Sequence, residues 1–205
     1  GAKVVLLECE SVGFGGSGRN VGLVNAGLWL PPKKIISILG KKQGEALISS
    51  LGSAPDLVFS IIDKNKIACE PKRNGTLHCA HSEKGLEYLF ERLKQGHQYG
   101  EPVALIDRTE TQNKIGSTKF FGSLHDPRAG TIQPLAYCRG LARAAKELGA
   151  KIYENSKVTH IKTDNEMWHA EVKNSIIKSK YLLLAMNAYQ NLNEERNTGN
   201  FSTVY

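Results

Sequence analysis

The apolar positions of this chain fall in short runs broken by glycine and proline, and their spacing changes from one stretch to the next. Val4–Leu7 is continuous, the mark of a strand covered on both faces in a parallel sheet. Gly13–Gly18 reads as loop and Val21–Val24 as a short strand. Pro31-Pro32 then opens a helical region, with Ile35, Ile36 and Leu39, then Leu47, Ile48 and Leu51, on an apolar face. A further helix over Pro55–Asp63 gathers Leu57, Val58, Ile61 and Ile62.

In the middle of the chain "GTLHCAHS" alternates as a strand, and Glu83–Gln95 is an amphipathic helix with Leu86, Leu89, Phe90 and Leu93 on one side. "PVALIDR" is another strand, and Thr109 is placed to cap a helix running past Glu110 and Gln112. "KFFGSLHDPRAGTIQP" predicts a strand, a turn at Asp126-Pro127 and a second extended piece. Pro134 suits the first turn of a helix that Gly149 stops. Strands follow at Lys151–Tyr153 and Lys157–Thr163, with a hairpin partner at Trp168–Val172 and a returning strand in "YLLLAMNAY". The polar tail, residues 191–205, reads as loop or frayed end.

Composition narrows the class. The 205 residues, 40% hydrophobic and 23% charged, are those of an ordinary globular protein. No apolar run approaches the roughly 20 residues of a membrane span, and the first residues are strand rather than signal peptide, so a cytoplasmic location is expected. The net charge is +7, but the lysines are interleaved with acids. Without a basic block or interleaved aromatics, nucleic-acid binding is not expected; an anionic ligand or surface accounts for the sign. The four cysteines, Cys9, Cys69, Cys79 and Cys138, form no CxxC pair and read as buried reduced thiols. The six histidines form no HxH or HxxxH cluster, so no metal site is expected. His125, beside "DPRAG", is the one that fits a cofactor cleft, with a structural role favoured.

The candidate chemistry lies near the start. Glu8 directly follows "VVLL", the place where a dinucleotide-binding βαβ unit puts an acid whose two oxygens match the vicinal diol of a ribose. The loop "GFGGSGRN" combines glycines that free backbone amides, a serine hydroxyl, and Arg19, which can pair with phosphate oxygens as a fork. Read by itself, that loop fits a flexible surface turn better; with Glu8 ahead of it the two readings are comparable.

"KVVLLE", "GGSGRNVGLVNAG", "GTIQPLAYCRGLARAAKELGAKIYE" and "LLLAMNAY" together resemble the FAD-dependent amino-acid oxidoreductases of the D-amino-acid oxidase and glycine oxidase type. The likeness is strongest to the gamma-glutamylputrescine oxidoreductase branch and runs to about Tyr189. It implies FAD as cofactor and hydride transfer from the carbon bearing an amine. It further implies that Glu8 binds the adenosine ribose and that Ser17, Gly18, Arg19 and Asn20 line the pyrophosphate and ribityl region. Gly22, Leu23, Val24 and Asn25 would pass the isoalloxazine ring. Val158 would offer its backbone to the adenine edge, and Ala185, with Met186 and Asn187, would face the cofactor from the returning strand. In the family a first strand and its GxGxxG turn would precede Gly1, and more of the substrate domain would follow.

The expected fold is therefore α/β: a Rossmann-like parallel FAD-binding sheet lacking its first strand, with part of an α+β antiparallel substrate domain. Residues 1–30 and 130–190 would form the FAD-binding domain and residues 31–129 the substrate portion. The expected ligand is a small amine or amino acid, and the incomplete sheet would be completed by a partner segment or by self-association. The competing reading is a catalytically silent remnant serving as a binding or assembly module.

Overall fold

The computed structural model describes residues 2–186, so Asn187 and the polar tail lie outside the described residues. The elements, in chain order, are β1 (Val5–Leu7), α1 (Gly16–Arg19), β2 (Leu23–Val24), α2 (Pro32–Leu39), α3 (Lys41–Gly52), α4 (Ala54–Lys64), β3 (Thr76–Ala80) and α5 (Glu83–Gln98). There follow β4 (Ala104–Ile106), α6 (Arg108–Ile115), β5 (Gly122–Asp126), β6 (Gly130–Thr131), α7 (Pro134–Glu147), β7 (Lys151–Tyr153), β8 (Val158–Asp164), β9 (Met167–Val172) and β10 (Ser175–Ser179). Two compact units result: Gly1–Phe14 with Ala145–Tyr205, and Gly15–Ala144.

In the first unit β1 and β7 pair in parallel, Val5 opposite Lys151 and Leu7 opposite Tyr153. The pairing runs one residue past the strand, where Glu8 N–H donates to Tyr153 O at 2.9 Å. The continuous apolar run predicts burial on both faces, yet Val4, Val5 and Leu6 are 50%, 43% and 46% exposed. Such a run is covered only where the sheet is wide and layered, and β7 is the only strand beside β1 among the described residues. β8, β9 and β10 form an antiparallel meander. Its β8–β9 turn is the two-residue loop Asn165-Glu166, both at positive φ, the twist that suits a tight hairpin. The predicted hairpin is therefore present. Of the predicted strand in "YLLLAMNAY", Tyr181–Met186 form no strand, and Asn187–Tyr189 lie outside the described residues. Tyr181 and Leu183 stand exposed, and a strand exists only where its backbone groups find a neighbour.

The second unit has two cores. One lies under the antiparallel sheet β3-β5-β4, which α5 covers: Ala80, Leu89, Val103 and Leu124 are buried, with Leu86, Leu93, Leu105 and Phe121 against them. Helix α5 starts where Ser82 Oγ accepts the Gly85 N–H and runs to Gln98, past the Gln95 that hydrophobic spacing predicts. Phe90 leaves the predicted apolar stripe and is 46% exposed, at the margin of a face that Leu89 already fills. Helix α6 begins two residues earlier than expected. Asp107, not Thr109, caps it, its carboxylate accepting from Glu110 N–H at 2.8 Å. The other core joins α4, β2 and α7: Val24, Phe59, Ile62, Ile67 and Cys69 are buried beside Ile132, Tyr137 and Leu141. Gln133 Oε1 accepts from Ala136 N–H at the start of α7, and Pro134 takes the first helical position as expected.

The stretch Lys41–Lys64 reaches the length and apolarity of a membrane-crossing helix. It is two helices, however, broken at Ser53, and α4 buries Phe59 and Ile62 in the core.

Thr111 and Ser123, both fully buried, share a hydroxyl–hydroxyl bond of 2.8 Å that ties α6 to β5. Replacing Thr111 by Val strands the Ser123 hydroxyl away from water, and the predicted cost is about 1–3 kcal/mol in denaturant unfolding. The Thr111→Val/Ser123→Ala pair should cost less than the sum of the two single changes, since neither hydroxyl is then left alone.

Candidate functional site

Glu8 stands where the sequence places it, at the end of β1. Its main chain is held on both sides: N–H on Tyr153 O, and O accepting from Ser156 N–H at 2.8 Å. Its Oε1 accepts the Glu10 N–H at 3.0 Å, folding the carboxylate over the turn that leaves the strand. Val12 N–H donates to Glu154 Oε1 at 2.7 Å, so the start of the following loop is tied to the end of β7. Val158 opens β8 opposite Val172, half-buried, with a bulge before His160. Ala185 is exposed and outside any strand. Asn187 lies outside the described residues.

In the other unit Ser17, Gly18 and Arg19 form the single turn α1, with no side chain capping its start. Arg19 Nε donates to Gly15 O at 3.4 Å. Asn20 organises the exit from this turn. Its Nδ2 donates to Gly16 O and Ser17 O, at 3.2 and 2.8 Å, while its Oδ1 accepts the Gly22 N–H at 2.8 Å. Cys138 Sγ approaches Ser17 O at 3.3 Å, joining the turn to α7. Asn20 thus ties Gly16 and Ser17 to Gly22, and Leu23–Val24 continue from there into the pairing with β6.

Gly22 has φ +73°, and a Cβ there would stand 2.0 Å from Ile132 O. The glycine is required by the chain's own backbone, whatever else passes nearby. Leu23 and Val24 pair with Thr131 and Gly130; Leu23 is half exposed and Val24 is core. Asn25 Oδ1 is buried without a hydrogen-bond partner among the described residues. A buried acceptor left so is costly and calls for a donor.

The histidine and cysteine expectations divide. His125 sits on β5 with Nε2 3.4 Å from Asn74 O, its ring against Gly75. Burial first, then Arg92 and His81, hold His78 below the usual histidine range. Its ring meets Trp29 edge-on at 5.5 Å. Cys69 is buried as expected and its thiol is pushed up by that burial, but Cys9 is exposed.

A polar centre that the sequence did not announce surrounds Arg128, in the turn between β5 and β6. Arg128 Nε and Nη2 donate to the two oxygens of Asp126 at 2.9 and 2.6 Å, and Nη2 lies 3.7 Å from Glu101 Oε1. All three side chains are at most 17% exposed. The hydrogen bond to Asp126 raises the guanidinium further above its usual pKa, against the effect of burial. Asp126 and Arg128 fall in the predicted turn, but nothing in the sequence links them to Glu101.

Residues 1–200 match the family described as "DAO: FAD dependent oxidoreductase". The chain is 32% identical to the gamma-glutamylputrescine oxidoreductase of Escherichia coli over 195 residues, 92% of this chain and 44% of that protein. It is also 32% identical over 191 residues to "Probable oxidoreductase OrdL" of Haemophilus influenzae, with the same coverage of both chains. The glycine oxidase structure from Geobacillus kaustophilus superposes with a TM-score of 0.71 at 20% identity, over 89% of this chain and 48% of that one. The chain thus spans less than half the length of each of these three proteins. The likeness to solved flavin oxidases agrees with the expected α/β class, in which a parallel pair accompanies antiparallel sheets. With a match running through β1, the Ser17–Asn25 unit and α7 alike, the chain belongs to the DAO family of FAD-dependent oxidoreductases.

Proposed function

We propose that this chain is the FAD-contacting part of an oxidoreductase that oxidises the carbon–nitrogen bond of an amine or amino acid. The carrying observation is the Ser17–Asn25 unit. Its glycine-rich turn is uncapped by side chains, and it ends on Asn25, whose buried Oδ1 lacks a donor. FAD offers N–H and hydroxyl donors of the kind Asn25 lacks, so the residues present fit the cofactor. The names of the relatives, an amine-derivative oxidoreductase and a glycine oxidase, support the substrate class.

The chemistry FAD would supply here is acceptance of a hydride from the amine-bearing carbon, which leaves an imine for water to hydrolyse. The protein's part is to bind and orient. Glu8 would accept hydrogen bonds from the adenosine ribose, and its backbone, fixed by Tyr153 and Ser156, holds it for that task. Ser17, Gly18, Arg19 and Asn20 would meet the pyrophosphate and ribityl chain with backbone amides and one positive charge. Asn20 sets the angle at which Gly22–Asn25 leave that turn. Val158 would meet the adenine edge, and Ala185 and Asn187 would meet the cofactor from the end of the chain.

The open edge of β1 has its own consequence. We propose that a further strand, from a partner segment or a second copy, completes the sheet beside the exposed Val4, Val5 and Leu6.

Two outcomes follow. Glu8→Gln, made in the full-length protein, should weaken FAD binding about 10-fold or more, as expected when hydrogen bonds to a charged acceptor worth about 1.5–3 kcal/mol are degraded. Flavin fluorescence titration measures this, and an unchanged affinity would remove Glu8 from the ribose. The chain of 205 residues, purified alone, should associate with rising concentration in light scattering. A strict monomer binding FAD stoichiometrically would show that β1 needs no neighbour.

A further inference from the structure

The unit Gly15–Ala144 contains a cleft of about 370 Å³ between α3, the end of α5 and the β5–β6 turn, lined by Glu45, Ile48, Gly52, Tyr99, Glu101 and Arg128, with Ser49. That volume is within the range of small-molecule sites, about 300–1,000 Å³. Its chemistry is lopsided. The one guanidinium, Arg128, is shared between the fork to Asp126 and Glu101, 3.7 Å from Nη2, so with Glu45 three carboxylates face a single cation and the cleft keeps an excess of negative charge. Glu101 is fixed rather than mobile. Its Oε2 lies 2.6 Å from where a Cβ on Gly96 would stand, and its side chain is 17% exposed. A partly desolvated carboxylate attracts a cation more strongly than one in water. Tyr99 adds a ring of the type that attracts ammonium groups, and Ile48 adds an apolar wall for a methylene chain.

The cleft adjoins the segment proposed to meet the flavin. Gly27, two residues after Asn25, donates its N–H to Leu51 O of α3 at 3.0 Å, and Glu101 Oε1 lies 4.0 Å from its Cβ position. The nitrogen being oxidised cannot be what this cleft holds. Hydride removal needs its lone pair free, whereas neighbouring carboxylates favour the protonated form. The cleft suits a nitrogen that stays charged.

We propose that this cleft binds a second, non-reacting cationic nitrogen of the substrate, with Glu101 as its main partner and Glu45 at the rim, selecting substrates with a positive end distal to the oxidised bond. This rests on the amine-oxidising reading above.

The test uses full-length, FAD-loaded protein and two probes that are not amine substrates: n-butylguanidinium, a permanent cation, and N-butylurea, its neutral counterpart. Calorimetry should show the cation binding about 10-fold or more tightly than the urea, a difference near 1.4 kcal/mol. Glu101→Gln should reduce that preference to roughly 3-fold or less, in keeping with loss of a close charge partner. Glu45→Gln, at an exposed position where folding is not at stake, should lower it part of the way. Equal binding of the two probes, or a preference untouched in both variants, overturns the proposal. Visible flavin absorbance of each preparation reports separately on the oxidoreductase reading: cation preference in protein that takes up no flavin would overturn that reading and leave a cation site without it.

Discussion

The second unit depends on how closely two backbones approach along residues 129–133. Thr131 and Lys72 exchange N–H···O bonds of 2.7 and 2.9 Å, Ile132 N–H reaches Gly22 O, and Gln133 N–H reaches Cys69 O. At Gly130 a Cβ would lie 2.2 Å from Lys72 O. One five-residue strip therefore satisfies β2 on one side and the 69–75 segment on the other, and then starts α7. Any widening there would unpair backbone amides on both flanks at once. The Ser17–Asn25 unit takes its place from this strip, because β2 has no other strand partner among the described residues.

Charge is arranged on the same strip's doorstep. Arg128 leads into it, with Asp126 closing the fork from two residues before, so the turn between β5 and β6 is braced by its own ion pair. Arg73 adds a second brace, with its guanidinium 5.1 Å over the Phe59 ring and paired to Asp56. The value of these cations is positional. Surface pairs stabilise little, but a bidentate fork fixes the direction in which a turn points.

Helix α5 and the β8–β9 hairpin were legible because their information is local: leucines at helical spacing in one, and in the other two alternating runs a short turn apart. Pro134 and Gly149 marked the ends of α7 for the same reason. The misreadings share another cause. Whether Val4–Leu7 is covered, whether "YLLLAMNAY" pairs, and whether Phe90 turns inward all depend on neighbours that no local pattern encodes. Asp107 displaced Thr109 as a cap because a carboxylate two residues nearer strand β4 reaches the Glu110 amide. The Glu101–Arg128–Asp126 centre was invisible because its members come from separate elements and meet only through the fold. Of the candidate residues, Ser17, Asn20 and Gly22 are joined by hydrogen bonds, and those bonds through Asn20 could not have been foreseen from "GRN".

Gly22 carries a warning for mutational surveys of flavoproteins. Its neighbours include cofactor candidates, and a substitution there would bleach the protein as surely as the loss of a true ligand. Yet its side of the chain is filled by the carbonyl of Ile132. A colour screen alone would read this glycine as a cofactor contact, although the neighbouring strand already demands a glycine there. Sites found by loss of flavin near close-set backbones therefore sort into ligands and joints only when folding is measured alongside colour.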